Sequence, residues 1–164
     1  MIRSSLEDGE LACVLVPQGG PWPLLLPNVC VAEILRNGSS QPRHDSPVWL
    51  LGDLDWRQQH LPLLSFDLLS EFGDADAPVP GSEGQHRSIV VLNRTRTSSA
   101  LPFYAITSTA TPRLIRVSQE DLQPARIDVP FNPELGLPVI VLGEEAMVPN
   151  LAYLEAILAG FVVH

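Results

Sequence analysis

The chain has 164 residues, which suits one domain over 1–164. A chain of this size buries roughly 70% of its unfolded surface and folds without a disulfide or a metal. Hydrophobic residues make up 45% and charged residues 18%, which excludes a disordered chain. The net charge is −9 and the sequence holds no Lys, so like-charge repulsion from phosphates excludes nucleic acid as a partner.

No apolar run reaches the ~20 residues that a membrane helix needs. Met1–Asp8 carries no apolar stretch of the secretory kind. A cytoplasmic location without membrane insertion is therefore expected. Cys13 and Cys30 both lie in apolar runs and fit no Cys-x-x-Cys spacing, so they are expected to be free, small hydrophobes.

Sixteen Pro and 11 Gly punctuate the chain at intervals too short for long helices. Between them lie short runs rich in Val, Leu and Ile. In order, 11–16, 23–26, 48–51, 61–65, 88–92, 103–107, 114–117, 139–142 and 146–148 read as strands. Asn28 is placed to cap a short helix over 29–34. Ser65 or Asp67 starts another through Phe72, which Gly73 ends. Asn150 caps the clearest one, over 151–159, with Leu151, Leu154 and Leu158 at helical spacing and Gly160 as its stop. Residues 37–47 read as a plain surface connection. Residues 73–87 read as a longer loop, too polar and too rich in Pro and Gly to offset its ordering entropy, hence mobile. The pattern is all-β with short helices, a barrel or a sandwich.

Few residues suggest chemistry. Asp53, Asp55 and His60 are legitimate ligands for a divalent metal, which would make the chain a small β-barrel metal-dependent hydrolase. Asp-x-Asp is a common spacing, however, and the same residues fit a solvated turn between two strands. His44-Asp45-Ser46 offers triad residue types, but adjacent residues rarely face one another and no Gly-x-Ser-x-Gly elbow is present. Gly19-Gly20 and Gly81-x-x-Gly84 lack the Gly-Lys-Ser/Thr of a phosphate loop. Trp49, inside an apolar run, reads as core, its ring N–H bonded to a carbonyl. Trp56 reads either as core or as an interface anchor, since Trp and Arg concentrate at binding hot spots.

The order of segments carries more than any one of them. Val31-Ala32-Glu33-Ile34 is followed by Gly52 with Arg57, then by Leu61 to Leu69. Ser88 to Asn93, Leu114 to Pro124 and Val139 to Leu158 continue the series. From about Leu11 to Leu158 this order resembles the CheW family of chemosensory adaptors. The resemblance implies two interleaved five-stranded SH3-like β-barrels sharing a core, with a C-terminal helix and with the 73–87 loop between the two halves. It implies a non-catalytic scaffold without cofactor. The partners would be the tips of methyl-accepting chemoreceptors and the regulatory domain of a CheA-type histidine kinase. Carried over by motif, Glu33, Gly52 and Arg57 are the expected partner-binding positions, with Trp56 beside them. A carboxylate and a guanidinium can pair with fixed geometry, and such a pair would hold the Gly52–Arg57 turn against Glu33. Two departures stand out. Gln58 replaces the glycine that keeps the turn after Arg57 small, and Tyr104–Ser108 lacks the family's carboxylate. They suggest a divergent adaptor of the kind found in clusters controlling type IV pili and twitching motility.

Overall fold

The computed structural model describes residues 9–43, 46–73, 85–86, 88–95, 101–128 and 131–161. The first sheet contains β1 (Glu10–Val16), β2 (Leu24–Pro27), β10 (Arg113–Ser118), β11 (Leu122–Pro124), β12 (Gly136–Val141) and β13 (Glu144–Pro149), in the order β10-β1-β2-β13-β12-β11. The second contains β3 (Val31–Leu35), β4 (Gly38–Gln41), β5 (Leu50–Trp56), β6 (Gln59–Leu64), β7 (Gln85–His86), β8 (Ser88–Asn93) and β9 (Phe103–Ser108), in the order β3-β8-β9-β6-β5-β4-β7. All pairings are antiparallel except β2 with β13 and β6 with β9.

Each sheet closes on itself through a bent strand. β10 and β11 are one strand interrupted by a single turn, Gln119–Asp121, and they pair with β1 and β12 at opposite ends of the sheet. β3 and β4 are interrupted only by Arg36-Asn37 and pair with β8 and β5. Counting each bent strand once gives two five-stranded barrels, with the two-residue β7 appended to the second. Both ends of the chain build the first barrel and its middle builds the second, so the barrels are interleaved. The 73–87 segment therefore falls inside the stretch that builds the second barrel, and does not separate the halves. Its Gln85–His86 form β7 against β4. The mobility expected for it concerns residues that lie mostly outside the described ones.

Strand period explains the unbroken apolar runs. On β1, Cys13 and Leu15 face the interior of the first barrel, while Val14 and Val16 face a core shared by both barrels. On β8, Ile89 and Val91 fill the second barrel, while Val90 and Leu92 join the shared core. Strands buried on both faces cannot alternate with polar residues. The shared core also takes Leu24, Trp49, Leu64, Phe66, Leu154 and Leu158. Each such side chain contributes about 1.5–3 kcal/mol by leaving water. Trp49 is core, as expected, but its Nε1 has no acceptor among the described residues; its ring meets Phe161 edge-on at 5.8 Å.

Two helices follow the expected caps. α1 (Phe66–Phe72) starts at Ser65, whose Oγ accepts the Leu68 N–H at 3.2 Å, and ends at Gly73. α2 (Leu151–Ala159) starts at Asn150, whose Oδ1 accepts the Tyr153 N–H at 3.1 Å. The helix expected over 29–34 is instead one turn, Asn28–Cys30, followed by β3. The turn has Pro27 at its N-cap and no side-chain cap, and the β-branched Val31 and Ile34 suit a strand better than a short helix. The expected surface connection over 37–47 contains β4, which the sequence Gly-Ser-Ser-Gln hides because it has no apolar face.

Candidate functional site

Three of the expected site residues, Glu33, Trp56 and Arg57, gather where β3 meets the β5–β6 hairpin. β3 pairs with β8 through a bulge between Val31 and Glu33. A bulge re-aims the side chains beside it. Here Glu33 lies on the same side of the strand as Leu35, which packs on the core of the second barrel. That brings Glu33 to Trp56 and Arg57, 23 and 24 residues away in sequence. Arg57 Nη2 donates to Glu33 Oε1 at 2.8 Å, and Trp56 Nε1 donates to the same oxygen at 3.4 Å. The Arg57 guanidinium carbon lies 4.6 Å from the centre of the Trp56 ring, close enough for a cation–π contact.

Trp56 is only 5% exposed and meets Phe103 at 4.8 Å within the core of the second barrel. Of its two readings the buried one holds. Its ring is the floor on which an exposed pair rests, since the Arg57 and Glu33 side chains keep 66% and 36% of their surface.

Gly52 lies four residues before Trp56 on β5, against β4. It sits at an irregularity in the β5–β6 pairing with φ of 142°. A Cβ there would lie 2.1 Å from the carbonyl oxygen of Gln41 on β4. Glycine lets the bent strand close the barrel at this point.

Asp53, Asp55 and His60 do not converge. Asp53 accepts both Nε and Nη2 of Arg43, the latter at 2.6 Å, and Arg43 Nη1 also donates to the carbonyl of Phe161 just beyond α2. Asp55 and His60 are opposite one another on β5 and β6, with Oδ1 and Nδ1 2.5 Å apart on an open surface. Among the described residues no group of three His, Cys, Asp or Glu lies close enough to hold a metal ion. His44 and Asp45 lie outside the described residues. Cys13 and Cys30 are free, and burial pushes both thiols up.

One buried polar cluster was not singled out from the sequence. Glu155 on α2 is 4% exposed, and its carboxylate accepts the Thr95 N–H at 3.0 Å, the Thr95 hydroxyl at 2.7 Å and the Tyr104 hydroxyl at 3.1 Å. The signal was present, since Glu155 shares the apolar stripe of Leu151, Leu154 and Leu158.

Two interleaved barrels with a shared core and a terminal helix define a double-barrel fold of the SH3-like kind. The CheW-like domain matches residues 12–158, and the chain belongs to that family. In fold it is similar to the scaffolding protein TtCheW from Thermoanaerobacter tengcongensis, with a TM-score of 0.61 at 10% identity over 85% of this chain and 88% of that one. At that identity the likeness concerns the fold. No curated protein matches the sequence. No helix among the described residues is long and apolar enough to cross a membrane.

Proposed function

We propose that the chain is a non-catalytic cytoplasmic adaptor. It couples methyl-accepting chemoreceptors to the regulatory domain of a CheA-type histidine kinase, in chemotaxis or in the control of type IV pili and twitching motility. Membership of the CheW-like family supports the adaptor role. The pilus subtype rests on the departures at Gln58 and Tyr104–Ser108 alone. The observation that carries the proposal is the Glu33–Arg57 pair held over the Trp56 ring. Buried aromatic support fixes an exposed charged pair in one geometry, and a preorganised Arg loses little entropy when a partner binds. Gly52 contributes through the close approach of β5 to β4, on the strand that leads to Trp56 and Arg57.

The test is a double-mutant cycle on purified partners. Arg57→Ala leaves the fold intact, since an exposed pair contributes only ~0.2–1 kcal/mol to stability. It weakens binding to the kinase regulatory domain or the receptor tip by about tenfold or more, as hot-spot arginines do. Glu33→Ala and the double variant lose about the same amount as Arg57→Ala, because the pair acts as a unit. Additive losses would show two independent contacts, and unchanged affinity for both partners would move the binding face elsewhere.

A further inference from the structure

We propose that the cleft between the Gly19–Trp22 loop and α1 is a second docking face, which takes an arginine flanked by apolar residues from a partner protein. The cleft measures about 380 Å³. Its apolar lining is Trp22, Phe66 and Met147, and α1 supplies Asp67, Ser70 and Glu71. These three are spaced i, i+3, i+4, so they share one helix face.

The wall is built with some care for geometry. The Asp67 carboxylate accepts the backbone N–H of Gly19 at 2.5 Å and of Gly20 at 3.1 Å. A Cβ at either glycine would lie 3.0 Å from a carboxylate oxygen, a tight contact that the Asp67 side chain would have to shift to relieve. The Trp22 ring is held by its Nε1–H, which donates to Glu145 Oε2 at 3.2 Å.

Among the described residues no cation lines the cleft. The ion pairs among the described residues join Arg43 to Asp53, Arg57 to Glu33, His60 to Asp55 and Arg113 to Glu144, and none reaches Asp67 or Glu71. Two carboxylates over an apolar lining complement a cation with an apolar body. Arginine fits better than lysine. Its planar fork matches a carboxylate, its face stacks on an indole, and it is the less strongly hydrated of the two.

The position suits a second partner. β6 runs from the Arg57–Gln58 turn to Ser65 before α1, and six residues at ~3.3 Å each make about 20 Å. The cleft and the Glu33–Arg57 pair thus flank opposite ends of one strand. That an adaptor uses both at once rests on the function proposed above; the chemistry of the cleft does not.

The direct test is a titration of the ¹⁵N-labelled protein with acetyl-Leu-Arg-Leu-amide, followed by NMR. The Gly19 and Gly20 amides and the Trp22 indole N–H shift, with millimolar affinity. Acetyl-Leu-Glu-Leu-amide leaves them in place, and Glu71→Arg, an exposed change that keeps the fold, abolishes the response. Signals that stay fixed with the arginine peptide, or that move equally with the glutamate peptide, overturn the proposal. A second arm titrates the kinase regulatory domain and the receptor tip. Glu71→Arg weakens one of them about tenfold or more, on the scale of a buried arginine anchor, and spares the other. If Glu71→Arg binds both like wild type while Arg57→Ala does not, the second face is wrong and the adaptor reading survives. If the wild-type protein binds neither, the adaptor reading falls and the peptide titration still decides the cleft.

Discussion

Glu155 shows what one buried carboxylate does to its surroundings. Its bonds to Thr95 and Tyr104 span 60 and 51 residues of sequence and tie α2 to the second barrel. Bonds to an ionised acceptor are short and strong, and leaving them unmade in the interior is costly. Burial first, then the charge of Glu155 and the hydrogen bond to it, push the Tyr104 phenol far above its usual value of 10.0. A raised folded value means that the unfolded chain loses this proton first. The stabilisation is therefore complete below pH 10 and falls as pH rises above it, by about 1.4 kcal/mol per pH unit for one group. Cys13 and Cys30, raised from 9.0 by burial, act in the same direction from a lower pH. Urea unfolding measured at successive pH values above 9 gives a steep decline for the wild type and a shallower one for Tyr104→Phe. Equal slopes would place the alkaline transition elsewhere. The position of Glu155 on the buried stripe of α2 was legible in the sequence. Its partners were not, because nothing local in Thr95 or Tyr104 records a helix arriving from the far end of the chain.

The β5–β6 hairpin is the element that presents the candidate pair. Its loop has two residues, Arg57 and Gln58, with φ of 47° and 64°. Positive φ at both positions is the type I′ turn that matches strand twist, and Asn-Gly is its usual sequence. The replacement of the family's glycine by Gln58 was expected to enlarge the turn. The turn instead keeps its two residues, Gln58 points to solvent, and the cost appears as left-handed backbone. Gln58→Gly removes that cost and raises stability by about 0.5–1 kcal/mol, net of the entropy glycine adds to the unfolded chain. A lower midpoint in chemical denaturation would show that the Gln58 side chain makes contacts outweighing its φ. Gly52 tests the opposite case on the same strand. Gly52→Ala drives a methyl onto the Gln41 carbonyl and strains φ, so it costs about 2 kcal/mol or more and loosens β4, which hydrogen exchange of the β4 amides reads directly. Strand β5 was legible only at its start: the apolar run 48–51 reads as a strand and Gly52–Arg57 as a turn, but β5 continues to Trp56 and only Arg57-Gln58 turn. β4 and β3 were not legible, for different reasons. β4 has no apolar face to recognise. β3 follows an Asn that reads as a helix cap, and only its pairing with β8 settles the matter.

At the scale of the molecule, the apolar runs identified the strands but not the barrel each one joins. Val14 and Cys13 look alike in sequence, yet they face different cores. The interleaving came from the family resemblance, and the shared core gives it a physical consequence. Val14, Val16, Leu24 and Leu26 of the first barrel pack in one cluster with Leu64, Val90, Leu92 and Ile106 of the second. α2 closes this cluster through Leu154 and Leu158, with its polar ties at Glu155 on one side and the Arg43 bond to the Phe161 carbonyl beyond its end. Neither barrel can open without exposing apolar surface of the other, so the two unfold as one unit. Leu24→Ala removes a fully buried side chain from the first barrel and costs about 2–5 kcal/mol. Native-state hydrogen exchange measures where that loss is felt. In the wild type the slowest amides of β1 and of β8 exchange with the same opening free energy. In Leu24→Ala both fall by the same amount, although β8 belongs to the other barrel. If the β8 amides kept their protection while those of β1 lost theirs, the barrels would be separate cooperative units, and an adaptor built from them would carry no strain from one face to the other.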